Sequence, residues 1–238
     1  MDDPKRVLRV LIACEESQRV CSEFRRLGQE AYSCDIQAPS GGHPEWHIIG
    51  DALPLIDGDC SFQTMDGTGH AVSGRWDLII AFPPCTYLSN AGACRLYPKH
   101  GQLDMERYKK GLEAKEFFMS FYNADCPRIA IENPVSSRIF EMPPHSQEIH
   151  PYMFGHPYTK KTRLWLMGLP HLIPTDLAAP IGPYVPSGTG RKDRSKYGSA
   201  KRGEDAKNRS KTFPGIARAM AEQWTAYILS EREQEKQK

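Results

Sequence analysis

Short apolar runs alternate with amphipathic stretches along most of the chain. The apolar runs are typical of buried strands, and they cover residues 6–13, 30–36, 47–53, 76–85, 128–134 and 163–167. Apolar residues at helical spacing predict helices, and these cover residues 15–27, 104–122 and 213–229. Alternating strands and helices predict an α/β fold, with a mainly parallel sheet and helices on both faces. Residues 56–75, rich in Gly, Asp and Thr, predict a β-hairpin inserted into that fold.

The predicted strands end in residues that can react or bind ligands. These ends are Ala13–Glu15, Asp35, Asp51, Pro83–Cys85 and Glu132–Pro134. Ligands of open parallel sheets bind in a crevice outside the carboxyl ends of the strands. We therefore expect these residues to converge on one crevice.

Length and composition exclude some classes of protein. The 238 residues are enough for one core with a small appendage. No run reaches the roughly 18 apolar residues of a membrane helix, and the charged start MDDPKRVLRV does not resemble a signal peptide. We therefore expect a cytoplasmic protein without a membrane partner. Seven cysteines, none in a CxxC pattern, predict reduced thiols and no metal site.

Positive charge is concentrated towards the end of the chain. Residues 180–211 hold nine Lys and Arg and three Asp and Glu, a local net charge of 9 − 3 = +6. Such an excess attracts phosphates, and the alternative is a solvated loop. The predicted divisions are a core over 1–168, a short basic loop or minimal target-recognition region over 169–206, a C-terminal helix over 207–230 that returns to the core, and a solvated tail over 231–238.

Four strand-end residues are candidates for chemistry or binding. Cys85 follows two prolines that would hold its thiol at the rim of the sheet, and a thiolate is a strong nucleophile. Glu132, in IENP, is a candidate proton donor or hydrogen-bonding group. Asp35 and Asp51 are candidates for the ribose and the adenine amine of a nucleoside cofactor. The alternatives are an inert buried thiol, a structural ion pair or cap at Glu132, and capping aspartates.

Four segments resemble, in the same order, the motifs of the cytosine-C5 DNA methyltransferases. The most specific is PPCTYLSNAG, which fits Pro-Pro-Cys, three residues, Ser, one residue, Ala-Gly; the others are IENP, FGHPYTKKTRLWLMG and KTFPGIARAMA. The resemblance covers residues 6–168 and 207–225. It implies a Rossmann-like methyltransferase fold, S-adenosylmethionine as cofactor and DNA as partner.

The resemblance also implies roles for individual residues. The Cys85 thiolate would attack carbon 6 of cytosine, Glu132 would contact N3 and the exocyclic amine, and Arg163 would anchor the base or phosphate and position Glu132. Carbon 5 would then take the methyl group from the sulfonium, and a target within a duplex would have to flip out. The candidate cofactor-binding residues are Ala13, Cys14, Glu15, Asp35, Ile36, Asp51, Ala52 and Pro83. The candidate nucleic-acid-binding residues are Ser89, Lys160, Lys161, Arg191, Lys192, Arg194, Lys201, Arg202 and Arg209.

Three departures from the family pattern keep other functions open. The first loop, residues 13–17, has no glycine, and Glu15 there is a candidate either to cap the next helix or to contact the cofactor's amino group. Lys160 or Lys161 takes the place of an arginine.

The third departure is that only 38 residues, 169–206, stand where the family has a target-recognition domain. This length favours weak sequence specificity, a partner protein for target recognition, or a substrate other than duplex DNA. The alternative functions are C5 methylation of RNA or of a free pyrimidine nucleotide, and a catalytically lapsed module that binds nucleic acid. Restriction–modification is one biological role that fits.

Overall fold

The computed structural model describes residues 7–93, 95–99, 101–184 and 210–237, which form an α/β fold around one seven-stranded, mostly parallel sheet. The sheet strands are β1 Arg9–Ala13, β2 Glu30–Asp35, β3 His47–Ile49, β6 Leu78–Ala81, β7 Ile129–Asn133, β8 Gln147–Ile149 and β9 Thr162–Met167. Strands β4 Cys60–Gln63 and β5 Gly69–Val72 form a separate antiparallel hairpin, as predicted. The helices are α1 Arg19–Arg26, the four-residue α2 Asn90–Ala93, α3 Met105–Tyr122 and α4 Pro214–Lys236.

Helices cover both faces of the sheet because side chains alternate along each strand. Val10 and Ile12 of β1 join a core with α1 and α4, whereas Leu11 and Ala13 join a second core with α3. The predicted apolar face of α4, which carries Ile216, Met220, Trp224 and Ile228, is buried in the first core. The predicted architecture and the return of the last helix to the core are therefore confirmed.

The strand order is β3-β2-β1-β6-β7-β9-β8. Strands β2 and β3 lie on one side of β1 and the later strands lie on its other side, so the direction in which strands are added reverses at β1. Strand β1 pairs in parallel with β2 on one side and with β6 on the other. A reversal of strand order of this kind opens a crevice at the carboxyl ends of the two central strands. The fold therefore places the ends of β1 and β6 beside a ready-made ligand site.

Two elements at one edge of the sheet differ from the sequence prediction. Strand β9 runs antiparallel to both of its neighbours, and β8 was not predicted at all. The three residues Gln147–Ile149 are too short for a readable pattern, and their side chains range from buried to half-buried. Because β9 is antiparallel, its first residues lie at the carboxyl ends of the parallel strands.

The predicted boundaries of the first and last helices were also wrong. Helix α1 begins at Arg19 instead of residue 15, because the loop before it takes a left-handed turn at Gln18. Helix α4 continues through Lys236, past the predicted end of the helix at residue 229, and residues 233–237 of the predicted solvated tail are exposed. Glu231 bonds Arg128 at 2.8 Å, and Arg232 forms an ion pair with Asp77. These two ion pairs fix the last turns of α4 to the ends of strands in the sheet.

The start of α4 lies unusually close to the turn that follows β8. A side chain on Gly215 would collide with the carbonyl oxygen of Phe154, and the Gly215 amide donates to His156 Nε2 at 3.1 Å. Glycine is required where a backbone approaches another this closely. None of the helices among the described residues is both long enough and apolar enough to cross a membrane.

Candidate functional site

A crevice of about 1120 Å³ opens at the carboxyl ends of the parallel strands. Its wall includes the loops after β1, β2, β3, β6 and β7, together with the residues before β9 and before α4. The predicted convergence of the strand ends is confirmed for Glu15, Asp35, Asp51, Cys85 and Glu132, which all line it. Its volume lies slightly above the usual range for small-molecule sites, which is about 300–1,000 Å³.

Hydrogen bonds join the loop that carries Cys85 to the end of β7. The side-chain amide of Asn133, which is fully buried, donates from Nδ2 to the carbonyl of Pro83 at 3.2 Å. Ser89 N donates to the Cys85 carbonyl at 2.8 Å, and Asn90 N donates to the Val135 carbonyl at 2.7 Å. The thiol of Cys85 and the carboxyl of Glu132 therefore share one wall because the loops after β6 and β7 are bonded to each other.

Gly92 ends the motif that begins at Pro83, and its lack of a side chain has a visible reason. A Cβ at Gly92 would lie 2.6 Å from the carbonyl oxygen of Thr86. That same oxygen accepts a hydrogen bond of 3.1 Å from Arg107 Nη2. The glycine thus lets α2 fold back against the Cys85 loop, and Arg107 of α3 is held at the crevice by the same contact.

Three cysteines line the crevice, and their surroundings separate them. Burial raises the pKa of the Cys14 thiol far above its ordinary value, and burial raises the pKa of Cys34 to about 12. Both thiols therefore stay protonated at neutral pH, and a thiol is a much weaker nucleophile than a thiolate. Cys85 is half-buried on the wall beside the end of β7, so it is the candidate nucleophile of the three.

Glu132 lies in a desolvated part of the crevice. Burial raises the pKa of its carboxyl, and the ammonium of Lys160 opposes that rise by a smaller amount. A raised pKa keeps a carboxylic acid protonated at higher pH, and a protonated acid can donate a hydrogen bond. Glu132 is therefore suited to donate to a ring nitrogen of a bound base.

The predicted role of Arg163 beside Glu132 is wrong. In the antiparallel pair β7–β9, Arg163 is opposite Asn133, whereas Glu132 is opposite Leu164. Neighbouring residues of a strand point to opposite faces, so Arg163 and Glu132 point away from each other. Arg163 Nε instead lies 3.6 Å from Glu148 Oε2, and Lys160 is the cation near Glu132.

The glycine-free first loop folds with two non-glycine residues in left-handed backbone conformations. These are Cys14, with φ 59°, and Gln18, with φ 56°. Glu15 accepts hydrogen bonds from Val20 N at 2.7 Å and Cys21 N at 3.1 Å, so it caps α1. Burial raises the pKa of Glu15 to about 7 despite these bonds.

The predicted cofactor residues after β1, β2 and β3 lie on the crevice wall, except for one. Ala13 is completely buried in the sheet, where its carbonyl accepts from Phe82 N at 2.9 Å, so its predicted place at the cofactor is wrong. Cys14, Glu15, Asp35, Ile36, Asp51, Ala52 and Pro83 do line the crevice. Ile36 is 79% exposed, which offers an apolar surface beside the acids.

The predicted nucleic-acid residues fall into two groups. Ser89, Lys160 and Lys161 line the crevice, and the two lysines reach it because they precede the antiparallel strand β9. Arg191, Lys192, Arg194, Lys201, Arg202 and Arg209 lie outside the described residues.

Among the wall residues that the sequence did not predict as site residues are three cations and one histidine, namely Arg95, Arg107, Lys211 and His150. Arg107 is on α3, where the sequence shows only an exposed charge on an amphipathic helix. His150 follows the unpredicted strand β8. Lys211 belongs to the predicted basic segment and lines the crevice. Its ammonium donates to Ser40 Oγ, in the loop after β2, at 3.1 Å.

Comparison of the sequence with models of known protein families, and with curated proteins, gave no match.

Proposed function

We propose that this protein is a cytosine-C5 methyltransferase that acts on DNA with S-adenosylmethionine as the methyl donor. One observation carries the proposal: Cys85, on the loop after β6, and Glu132, near the end of β7, line the same crevice, which opens at the carboxyl ends of the parallel strands. A nucleophilic thiol and an acid with a raised pKa are the two groups that attack on a pyrimidine ring requires.

The residues beside β1, β2 and β3 fit S-adenosylmethionine by their chemistry. Asp35 Oδ1 accepts from Gln37 N at 2.9 Å, and Asp51 Oδ1 accepts from Leu53 N at 3.1 Å. A carboxylate has about four acceptor positions, so each aspartate has capacity for ribose hydroxyls or an adenine amine. The exposed face of Ile36 suits an apolar ring, and acids favour a cationic ligand. When bound, the cofactor supplies the electrophilic methyl group.

The chain's own residues activate the pyrimidine. The Cys85 thiolate forms a bond to carbon 6. The electron pair of the carbon 5–carbon 6 double bond moves to carbon 5, where it is delocalised towards N3. Burial raises the pKa of Glu132 and so favours its protonated form, which donates to N3 and stabilises the charge that develops there. After carbon 5 is methylated, a base takes the proton from carbon 5. The electron pair of that carbon–hydrogen bond re-forms the double bond as the carbon–sulfur bond breaks, and the thiolate returns.

The direct test is methyl transfer from labelled cofactor to DNA, RNA and free nucleotides. We expect label on carbon 5 of cytosine in DNA, and we expect Cys85→Ser to reduce it to background. Cys60→Ser, in the hairpin, is the matched control and should transfer normally. Equal transfer by Cys85→Ser and the native protein would reject the nucleophile, and label only on RNA or nucleotide would reject DNA as substrate.

A second test isolates the covalent step. DNA that carries 5-fluorocytosine should trap the protein as an adduct stable to denaturing electrophoresis, because fluorine cannot leave as a proton does. We expect the adduct from the native protein and from Cys60→Ser, but not from Cys85→Ser. Absence of both adduct and transfer on every substrate would favour a module that only binds nucleic acid.

A further inference from the structure

We propose that the crevice receives single-stranded DNA, with bases stacked on Tyr87 and Tyr97 and with phosphates bound by two pairs of cations on either side of Glu132. The target base and the chemistry rest on the proposed function, whereas the strand-binding surface rests on the contacts below. The juxtaposition that carries this inference is the Tyr87 ring under the guanidinium of Arg107, which lines the crevice, together with the exposed Tyr97 two positions after Arg95, which also lines it.

The first cation pair is Arg95 and Arg107, which both line the crevice. Arg107 is held in place, because its Nη2 donates to Thr86 O at 3.1 Å and its guanidinium lies 5.0 Å from the centre of the Tyr87 ring. Arg95 is exposed on the loop between α2 and α3. A guanidinium offers both a planar surface for a base and several donors for a phosphate.

The second pair is Lys160 and Lys161, just before β9. In the strand order β6-β7-β9, the segment between β6 and β7 carries the first pair, and the residues before β9 carry the second. Glu132 of β7 therefore lies between the two pairs. A single DNA strand that crosses the crevice can place its phosphates on both pairs of cations while one of its bases points towards Cys85.

The acids near these cations are engaged, and one of them, Glu148, offsets part of the positive charge of the second pair. Asp104 Oδ1 accepts from Arg107 N at 3.0 Å as the cap of α3, and Glu106 pairs with Lys110 at 2.6 Å. Glu148 pairs with Lys161 at 3.1 Å from the neighbouring strand. Residues 86–110 carry five Lys and Arg and two acids, a net charge of 5 − 2 = +3.

The tyrosines favour a single strand over a duplex. Tyr97 is 49% exposed, and Tyr87 is half-buried under the Arg107 guanidinium. Each base in a duplex is covered on both faces by its neighbours, so an aromatic side chain can stack only on a base that has left the helix. Aromatic side chains in a basic groove are the usual platform for single strands.

Equilibrium binding of a labelled oligonucleotide, measured by fluorescence anisotropy without cofactor, tests this surface. We expect the native protein to bind a mixed-sequence single strand at least about 10-fold more tightly than the same sequence as a duplex. Tyr87→Leu and Tyr97→Leu should each weaken single-strand binding by about 5- to 100-fold. The matched controls Tyr87→Phe and Tyr97→Phe keep the ring and should bind as the native protein does.

The cations are tested by the dependence of binding on salt. Arg95→Gln should reduce the slope of log affinity against log salt by about 1. Arg75→Gln is the matched control, because Arg75 is paired with Asp125 before β6, at the edge of the sheet opposite the crevice, and it should leave the slope unchanged. The midpoint of thermal unfolding verifies that each variant is folded.

Two outcomes would overturn the inference: duplex bound as tightly as single strand, or leucine variants that bind like the native protein. Methyl transfer that prefers a duplex would also overturn it while leaving the proposed function intact. Ring-dependent binding of single strands without methyl transfer to any substrate would support this surface and reject the proposed function.

Discussion

The two halves of the crevice carry opposite charge. Beside β1, β2 and β3 the wall holds four acids, namely Glu15, Glu16, Asp35 and Asp51. Beside β6 and β9 it holds four cations, namely Arg95, Arg107, Lys160 and Lys161, with Glu132 between them. Opposite charge on two walls of one crevice separates a site suited to a cationic ligand from a site suited to phosphates.

The two halves are also held in place differently. In the acidic half, Asp35 and Asp51 each bind a main-chain amide two residues further on. In the basic half, Lys161 is held by Glu148, 13 positions away, and Arg107 by Thr86, 21 positions away. The contacts of these two aspartates are local, whereas those of Lys161 and Arg107 join distant segments. The acidic half has such a contact too, because Ser40 N donates to the Glu16 carbonyl at 2.8 Å.

The largest expected effect is that of Glu132→Gln on catalysis. We expect kcat/KM for methyl transfer to fall by about 10²- to 10⁴-fold, because an amide can donate a hydrogen bond to N3 but cannot transfer a proton to it. Since burial raises the pKa of Glu132, native activity should fall as the pH rises through that raised pKa, and the variant should lack this decline. Glu233→Gln, at an exposed position near the end of α4, is the control that should retain nearly full activity; native activity in Glu132→Gln would reject its role.

The next effect is on stability and concerns the acidic half. The folded protein keeps a proton on Glu15 up to about pH 7, whereas the ordinary pKa is 4.5. The stability contributed by protonated Glu15 is therefore full below pH 4.5 and is lost as the pH rises through 7, by up to about 3 kcal/mol.

Glu15→Gln cannot ionise and still offers an acceptor to the first turn of α1. We expect the free energy of unfolding, measured by denaturant titration, to fall less between pH 4.5 and 7 in this variant than in the native protein. Glu116→Gln, with an exposed side chain on α3, should keep the native pH dependence. An unchanged profile in Glu15→Gln would show that Glu15 ionises normally in the folded protein.

The smallest expected effect tests whether the two halves bind independently. Asp35→Asn should weaken S-adenosylmethionine binding, measured by calorimetry, by about 10- to 100-fold, because a charged acceptor is lost. Its affinity for single-stranded DNA should stay the same. Arg95→Gln should do the reverse and leave cofactor affinity unchanged. Loss of both affinities in either variant would contradict the division of the crevice.

Much of the fold and part of the site could be predicted because the relevant signals are local. The apolar runs that became β1, β6 and β7, and the acids and thiol directly after the strands, are read from neighbouring residues. The position of Arg163 was predicted wrongly because a shift of one residue in the register of β7 and β9 moves its side chain to the opposite face of the sheet. Arg107 was missed because its place at the crevice depends on a contact with Thr86.

The sequence alone determined the alternation of strands and helices and the reactive residues at the strand ends, because periodicity and strand termini involve residues a few positions apart. Tertiary structure alone decided that β9 is antiparallel, that Lys160 faces Glu132 while Arg163 does not, and that two arginines border the Cys85 loop. These features depend on register and on packing between segments tens of residues apart, and no local pattern encodes them.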